Sequence, residues 1–208
     1  PLTTPGPFVA VPARCKSVAS YLAPGGPAGE QLKLLECGGG GDCALLAAAV
    51  WLRSNGGPQL TATHLRGLLA KAACDPAFQR WARTQNFTSK QAMDLPETQE
   101  YRSAVARPRG FLSANHCALL AWILQATVHV IEVVLDGVMH ESKWFAPPNS
   151  PRVPQVLSLV LYMLPPKSLA GSGYGHFVLG VPYAMEHVTP VEFKAQQLKQ
   201  QQQLKQQR

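Results

Sequence analysis

One cysteine of this sequence lies where a helix is predicted to begin. A run of glycines and one aspartate, 38–42, leads directly into Cys43, and the apolar segment 44–52 that follows has the composition of a buried helix. The N–H groups of a first helical turn have no partner within the helix and carry partial positive charge, so they favour a thiolate over a thiol. Glycines also let backbone N–H groups approach a reacting carbonyl group. This pattern predicts that Cys43 is a nucleophile.

A histidine much later in the chain is the predicted base. His176 follows a glycine-rich loop and opens the apolar segment 177–181, which reads as a buried strand. An imidazole can take the proton of a thiol and later return one to a leaving group. Cys43 and His176 together therefore indicate nucleophilic catalysis by a cysteine–histidine pair.

The length and composition predict one main domain with flanking segments. The chain has 208 residues, of which 46% are apolar, enough for one good core. Residues 1–29 are rich in proline and glycine and are predicted to be a leader or linker, and residues 184–208 form a low-complexity tail rich in glutamine and lysine. The working domain is predicted to cover residues 30–183.

The cysteine pattern supports neither a disulfide framework nor a zinc site. The five cysteines are irregularly spaced and include no C-x-x-C pair: Cys15, Cys37, Cys43, Cys74 and Cys117. We expect no metal and no cofactor. The cysteine pattern also favours a reducing compartment, the cytoplasm. No apolar run reaches the length of about 18 residues that spans a bilayer, so we expect a soluble protein.

The net charge of +7 raises the possibility of nucleic-acid binding, but solvated charge on the C-terminal tail would also explain it. Part of the excess lies in the tail, where four basic residues follow the last acid: Lys194, Lys199, Lys205 and Arg208. Solvated tail charge without interleaved aromatic residues favours no specific nucleic-acid partner. The glycine loop also lacks the Gly-Lys-Ser/Thr that follows in a phosphate-binding loop. A salt-dependent affinity lost on removing the tail would be the sign of nucleic-acid binding.

The coarse pattern places helices first and strands last. This order predicts an α+β fold, in which N-terminal helices pack on a mostly antiparallel C-terminal sheet. The predicted helices cover 43–52, a segment capped by Thr61 or Thr63, a segment opened by Pro76 that includes Phe87, a segment from Pro96 to before Pro108, and 116–126. The predicted strands are 127–135, 138–145, 156–164 and 176–182, with a hairpin turn at Asp136-Gly137.

These residues resemble the ovarian tumour (OTU) family of papain-like cysteine proteases, which are mostly deubiquitinases. The matching segments occur in the family's order: Gly41-Asp42-Cys43-Ala44-Leu45-Leu46, Glu100-Tyr101, Leu119-Leu120-Ala121-Trp122 through His129-Val130-Ile131, Leu157 to Tyr162, and His176-Phe177. The resemblance implies an OTU-like, papain-related fold. It also implies that the partner is ubiquitin or a ubiquitin-like modifier, together with its conjugates.

The chain departs from the family pattern at three positions. The loop aspartate of the family falls on Gly40, its loop asparagine falls on Asp42, and the polar residue that often orients the imidazole falls on Val178. The third residue of the triad is therefore missing from its usual place. Packing against Phe177 together with a backbone carbonyl is the predicted substitute, with Glu186 and Asn115 as outside candidates. An abbreviated site of this kind resembles that of tymovirus polyprotein endopeptidases, which also remove ubiquitin. The resemblance leaves open whether the chain is a viral protease of that kind or a divergent cellular member of the family.

The resemblance and the local chemistry together imply acyl transfer. Cys43 attacks the carbonyl after the C-terminal glycine of the modifier, His176 relays the proton, and water hydrolyses the thioester. The main-chain N–H groups of Gly40, Gly41, Asp42 and Cys43 are expected to hold the oxyanion. A carboxylate next to the nucleophile would disfavour the thiolate, so the Asp42 side chain is predicted to cap the helix instead.

One alternative function stays open at this point, and the other candidate residues are predicted to be structural. The departures at residues 40 and 178 are compatible with a ubiquitin-binding pseudoenzyme that has little or no activity. A second cysteine–histidine pair, Cys117 beside His116, is predicted to be core packing, because adjacent residues of a helix point apart. Cys37 is predicted to be structural, and the tryptophans Trp51, Trp81 and Trp122 to belong to the core.

Overall fold

A computed structural model describes residues 8–9, 32–38, 41–85, 87, 91–133, 139–150, 155–164 and 174–182. Within these ranges the chain forms six strands, five α-helices and two short 3₁₀ helices. The strands are β1 (Phe8–Val9), β2 (Leu32–Leu35), β3 (Thr127–Val133), β4 (Met139–Trp144), β5 (Val156–Leu164) and β6 (Tyr174–Pro182). The α-helices are α1 (Cys43–Ser54), α2 (Ala62–Ala73), α3 (Pro76–Ala82), α4 (Gln99–Ala106) and α5 (Cys117–Leu124). The predicted α+β class is confirmed.

The strands form a single mixed sheet with the order β1-β2-β6-β5-β3-β4. Every neighbouring pair is antiparallel except β3 and β5, which run parallel. The prediction of a mostly antiparallel sheet is therefore confirmed. The order places β6, which carries His176, between β2 and β5. The segment just before the glycine loop consequently pairs with the strand of the predicted base.

The predicted helices are present, with shifted ends that have local causes. Thr61 caps α2 by accepting a hydrogen bond from the His64 N–H at 3.2 Å. The third predicted helix ends at Ala82 and excludes Phe87, because the Thr84 hydroxyl donates to the Trp81 carbonyl at 2.6 Å in the final turn. Side-chain hydrogen bonds to the backbone thus set where these helices begin and end.

Two further boundaries differ from the prediction for similar reasons. Helix α4 begins at Gln99, because Thr98 is its N-cap and Pro96 lies in the preceding turn. Helix α5 is preceded by a 3₁₀ turn over Ala114–His116 and ends at Leu124, where Gln125 adopts a left-handed conformation with φ 52°. The predicted continuous helix over 116–126 is therefore shorter by about one turn.

The core lies between the helices and the sheet. Helix α1 packs on β6, and the Trp51 indole N–H donates to the Val156 carbonyl at 3.0 Å, which joins the end of that helix to β5. Trp81 and Trp122 pack with Phe78, with ring centroids 5.4–5.9 Å apart. The three tryptophans belong to the core, as predicted. The site is thus built on closely packed elements.

Some predictions fall partly or wholly outside the described residues. The Asp136-Gly137 turn and the glutamine-rich tail lie outside them, and of the predicted leader only β1 is described, as an edge strand paired with β2. None of the helices in the described part of the chain is both long enough and apolar enough to cross a membrane.

Candidate active site

The predicted nucleophile begins helix α1 and contacts the strand that carries the predicted base. Cys43 is the first residue of the helix and is 3% exposed. The Phe177 backbone N–H donates to the Cys43 Sγ atom at 3.4 Å, which is a hydrogen bond between residues 134 positions apart. A sulfur atom that accepts a backbone N–H is favoured as the thiolate. The structure therefore joins the two predicted catalytic segments.

His176 lies beside this thiol, and its surroundings favour the imidazolium form. The pKa of His176 is raised to about 9, mainly because its ring contacts the Cys43 thiol. Burial lowers this pKa, whereas the hydrogen bond to Glu36 and the negative charge of Glu36 raise it further. A histidine with this pKa holds its proton near neutral pH. The imidazole is therefore suited to hold a proton that it can donate to a leaving group.

Glu36 supplies the third residue, which the sequence analysis did not find. Its Oε2 atom lies 2.8 Å from His176 Nε2, and the side chains are 30% and 17% exposed respectively. With Nε2 taken by the carboxylate, Nδ1 is the ring nitrogen that remains for the thiol. The expectation that Phe177 packing and a backbone carbonyl orient the imidazole is therefore wrong, since the Glu36 carboxylate binds the ring.

The position of Glu36 follows from the pairing of β2 with β6. The last paired residues are Leu35 and Leu179, so one step further along the ladder Glu36 lies opposite Val178. His176 is the diagonal neighbour on the same face, and such neighbours are within reach of long side chains. The carboxylate thus comes from the adjacent strand, at the register position opposite Val178.

A backbone N–H fixes the other oxygen of this carboxylate. The Gly38 N–H donates to Glu36 Oε1 at 2.8 Å, and Gly38 has φ +111°, a conformation that favours glycine. An added Cβ at Gly38 would lie 2.8 Å from the Leu46 Cδ1 atom. Both carboxylate oxygens of Glu36 are therefore engaged, and the start of the glycine loop is shaped to hold them.

The loop before the nucleophile is only partly described. Gly40, one of the predicted oxyanion residues, lies outside the described residues, whereas Gly41 and Asp42 lie within them. Gly41 has φ +88°, and a Cβ there would lie 1.9 Å from the Arg109 carbonyl oxygen. Close packing against the 107–110 turn therefore requires glycine at position 41.

Asp42 does not cap helix α1, contrary to the prediction. Its side chain makes no capping hydrogen bond and instead accepts from the Arg66 Nε and Nη2 atoms, at 3.1 Å and 2.6 Å. Arg66 lies on α2, and its side chain is 8% exposed. A guanidinium group offers a planar pair of donors that matches a carboxylate better than helix N–H groups do. The ion pair therefore compensates the carboxylate charge next to Cys43.

Two signals in the sequence could have identified these residues. Glu36 is an acidic residue that follows the apolar segment 34–35 and is separated from the glycine loop only by Cys37. Arg66 occupies the apolar stripe of α2, in helical spacing with Ala62, Leu69 and Ala73. A charged residue at such a position is buried only with partners, which is a reason to look for them.

The remaining candidates are separate from the catalytic pair. Cys117 is fully buried, its Sγ atom is 3.7 Å from the Ser113 carbonyl oxygen, and burial raises its pKa strongly, as expected of a core thiol. Asn115 is buried, and its backbone carbonyl accepts a hydrogen bond from the Tyr101 hydroxyl. Glu186 lies outside the described residues. Burial also raises the pKa of Cys37 to about 12, which supports its predicted structural role.

A ligand set for a metal is absent from the part of the chain that the structure describes. Within those residues no group of three or more His, Cys, Asp and Glu side chains is arranged to hold an ion.

The comparisons with known proteins give two structural similarities. No protein-family profile and no curated protein sequence matches the chain. Among solved structures, an OTU deubiquitinase from Wolbachia pipientis wMel is 14% identical, with 79% of this chain and 96% of that chain covered and a TM-score of 0.46. An OTU deubiquitinase from the same organism bound to ubiquitin is 15% identical, with 74% and 97% covered and a TM-score of 0.45.

Proposed function

We propose that the chain is a cysteine peptidase of the deubiquitinase type, with Cys43, His176 and Glu36 as its triad. The observation that carries this proposal is the order of contacts: Glu36 binds one ring nitrogen of His176, and the thiol of Cys43 contacts the same ring. A nucleophile, a base and an orienting acid in this order constitute the machinery of acyl transfer. The raised pKa of His176 supports the same assignment, because a protonated imidazole can donate to the departing amine.

The reaction follows from these contacts. The Cys43 thiolate attacks the scissile carbonyl carbon, and the His176 imidazolium donates its proton to the departing amine. The neutral imidazole then accepts a proton from water, which attacks the thioester and releases the acid product together with the thiolate. Glu36 holds the ring in place through both halves of the reaction. Of the predicted oxyanion donors, the N–H groups of Gly41, Asp42 and Cys43 belong to described residues.

The substrate that we propose is ubiquitin or a ubiquitin-like modifier, cleaved after its C-terminal glycine. Support for it comes from the order of motifs that resemble the OTU family, from the loop at Gly41-Asp42-Cys43 to the pair His176-Phe177. Processing of a viral polyprotein would use the same chemistry and stays a narrower proposal. A reducing compartment such as the cytoplasm suits a free thiol nucleophile, and Cys43 is unpaired with other cysteines.

The presence of Glu36 favours an active enzyme over the pseudoenzyme alternative. The absent polar residue at 178 was the reason to doubt activity, and the carboxylate of Glu36 performs its orienting role from the neighbouring strand. A ubiquitin-binding protein without activity would have no need for an acid that engages the histidine.

The decisive experiment is reaction of the protein with ubiquitin that carries an electrophile at its C-terminus, read as a mass shift. We expect one adduct in the parent, none in Cys43→Ala and a slower reaction in His176→Ala. Cys74→Ala is the matched control, because Cys74 is an exposed thiol, and it should react as the parent does. Ubiquitin that binds without an adduct would favour the pseudoenzyme. Neither adduct nor binding would refute the proposed substrate.

A further inference from the structure

We propose that Arg66 is a positioning residue of the catalytic loop, which both neutralises Asp42 and fixes the backbone before Cys43. This inference rests on the proposed function, because it concerns the same nucleophile. Arg66 donates to Asp42 Oδ1 and, in addition, to three backbone carbonyl oxygens from three segments of the chain: those of Gly41 at 3.1 Å, Val105 at 3.0 Å and Gly110 at 2.9 Å.

The first role of Arg66 is electrostatic. Asp42 immediately precedes the nucleophile, and its carboxylate would oppose the negative charge of a thiolate in a partly buried site. The Arg66 guanidinium at 2.6 Å offsets that charge, and its own side chain is only 8% exposed. An ion pair shielded from solvent keeps more of its strength than one at the surface. Arg66 therefore removes the penalty that Asp42 would impose on Cys43.

The second role is to hold the loop in one geometry. The hydrogen bond from Arg66 to the Gly41 carbonyl sets the orientation of the peptide plane between Gly41 and Asp42. The peptide bond between Gly41 and Asp42 is trans, so the Asp42 N–H points in the direction opposite to the Gly41 carbonyl and away from Arg66. Direction matters for any N–H group that is to meet a developing oxyanion.

The turn that packs against Gly41 is held by the same side chain. Arg66 donates hydrogen bonds to the Val105 carbonyl in α4 and to the Gly110 carbonyl beyond that helix. Between these two residues, Arg109 has φ 53°, and its carbonyl packs against Gly41. A guanidinium has five N–H donors in a rigid fork, whereas an ammonium group is a point charge with three donors. Only arginine can serve the carboxylate and three separate carbonyls at once.

The difference between arginine and lysine separates the two roles experimentally. Arg66→Lys keeps the charge beside Asp42 but loses the fork, and Arg66→Met loses both. We expect alkylation of Cys43 by iodoacetamide near neutral pH to stay close to the parental rate in Arg66→Lys. In Arg66→Met it should fall roughly fivefold or more, the effect of one uncompensated charge a few ångströms away. Adding Asp42→Asn to Arg66→Met should restore the rate.

The second measurement is turnover of a ubiquitin substrate, with kcat and KM determined separately. We expect kcat to fall by about 10- to 100-fold in Arg66→Lys, as for other small misplacements of a catalytic group, with KM nearly unchanged. Lys71→Met is the matched control, because it removes an exposed charge from the same helix, and it should behave as the parent does.

The outcomes distinguish this inference from the proposed function. A parental kcat in Arg66→Lys would refute the geometric role, and parental alkylation in a folded Arg66→Met would refute the electrostatic one. Absence of turnover in the parent would count against the proposed function, and the alkylation rates would still decide the electrostatic role. Should Arg66→Met fail to fold, Asp42→Asn decides it: alkylation at or above the parental rate supports the inference, and slower alkylation refutes it.

Discussion

The carboxylate of Glu36 lies 2.8 Å from the Nε2 atom of His176, although the two residues are 140 positions apart in the chain. This contact is made possible by the antiparallel pairing of β2 with β6, which brings the two strand ends together. It adds an orienting carboxylate to the proposed cysteine–histidine pair.

The Glu36–His176 contact predicts the alkaline limb of the pH profile. The imidazolium form is lost as the pH rises through about 9, the pKa of His176. We expect kcat/KM to fall there, because the imidazolium is the acid that protonates the departing amine. The pH dependence of Cys43 alkylation should change at the same pH. The same group stabilises the fold fully below the ordinary histidine pKa of about 6.5, and this stabilisation is lost as the pH rises through the folded value.

Replacement of the acid should move this limb to lower pH. In Glu36→Gln the negative charge that raises the pKa of His176 is absent, and we expect kcat to fall by about 10- to 100-fold. Glu97→Gln is the control, because it removes the same charge at an exposed position. An unshifted alkaline limb in Glu36→Gln would contradict the role of the carboxylate.

Gly41 is predicted to tolerate no side chain. In Gly41→Ala the new Cβ would meet the Arg109 carbonyl oxygen at 1.9 Å, so the loop must move and turnover should be lost. Gly56→Ala shares the positive φ, of +75°, but has open space around it. It should therefore cost only about 1 kcal/mol of unfolding free energy, with turnover kept.

Gly67 provides the opposite control for this experiment. It lies within α2, with nothing within 4 Å of an added Cβ, so Gly67→Ala should stabilise the fold by about 1 kcal/mol. Urea unfolding of the three variants, measured beside turnover, separates a change in stability from a change in the site. Retained turnover in Gly41→Ala would show that the loop accommodates the clash.

The cysteines are predicted to differ sharply in reactivity. Cys43 and the exposed Cys74 should be alkylated in the native protein, whereas Cys37 and Cys117 should be protected, because burial raises the pKa of both thiols. Peptide mapping by mass spectrometry after brief labelling measures this directly. Early labelling of Cys117 would contradict its place in the core.

The N-caps predict a change in stability without a change in chemistry. Asp75 accepts the Ala77 N–H at 2.8 Å at the start of α3, so Asp75→Ala should lower the unfolding free energy by about 1 kcal/mol. Asp75→Asn keeps a capping oxygen and should lose much less. Both variants should keep the parental rate of Cys43 alkylation, because this cap does not touch the triad; a slower rate would contradict that separation.

Much of the fold was predictable because it depends on local pattern. The strand over 156–164 and the start of α1 at Cys43 agree with the prediction, since β-branched runs, apolar periodicity and turn residues are local signals. The helix ends at Ala82 and Leu124 were harder to predict. They depend on one hydroxyl bond and one left-handed residue, which the composition of a segment does not reveal.

The same division holds for the site. The sequence alone determined that Cys43 is delivered to a helix start by a glycine loop and that His176 opens a strand, because both follow from neighbouring residues. Only the tertiary structure decided that Glu36 orients the imidazole and that Asp42 pairs with Arg66 instead of capping its helix. Strand register and helix packing bring these partners together from distant parts of the chain, and no local pattern encodes which long polar side chains will meet.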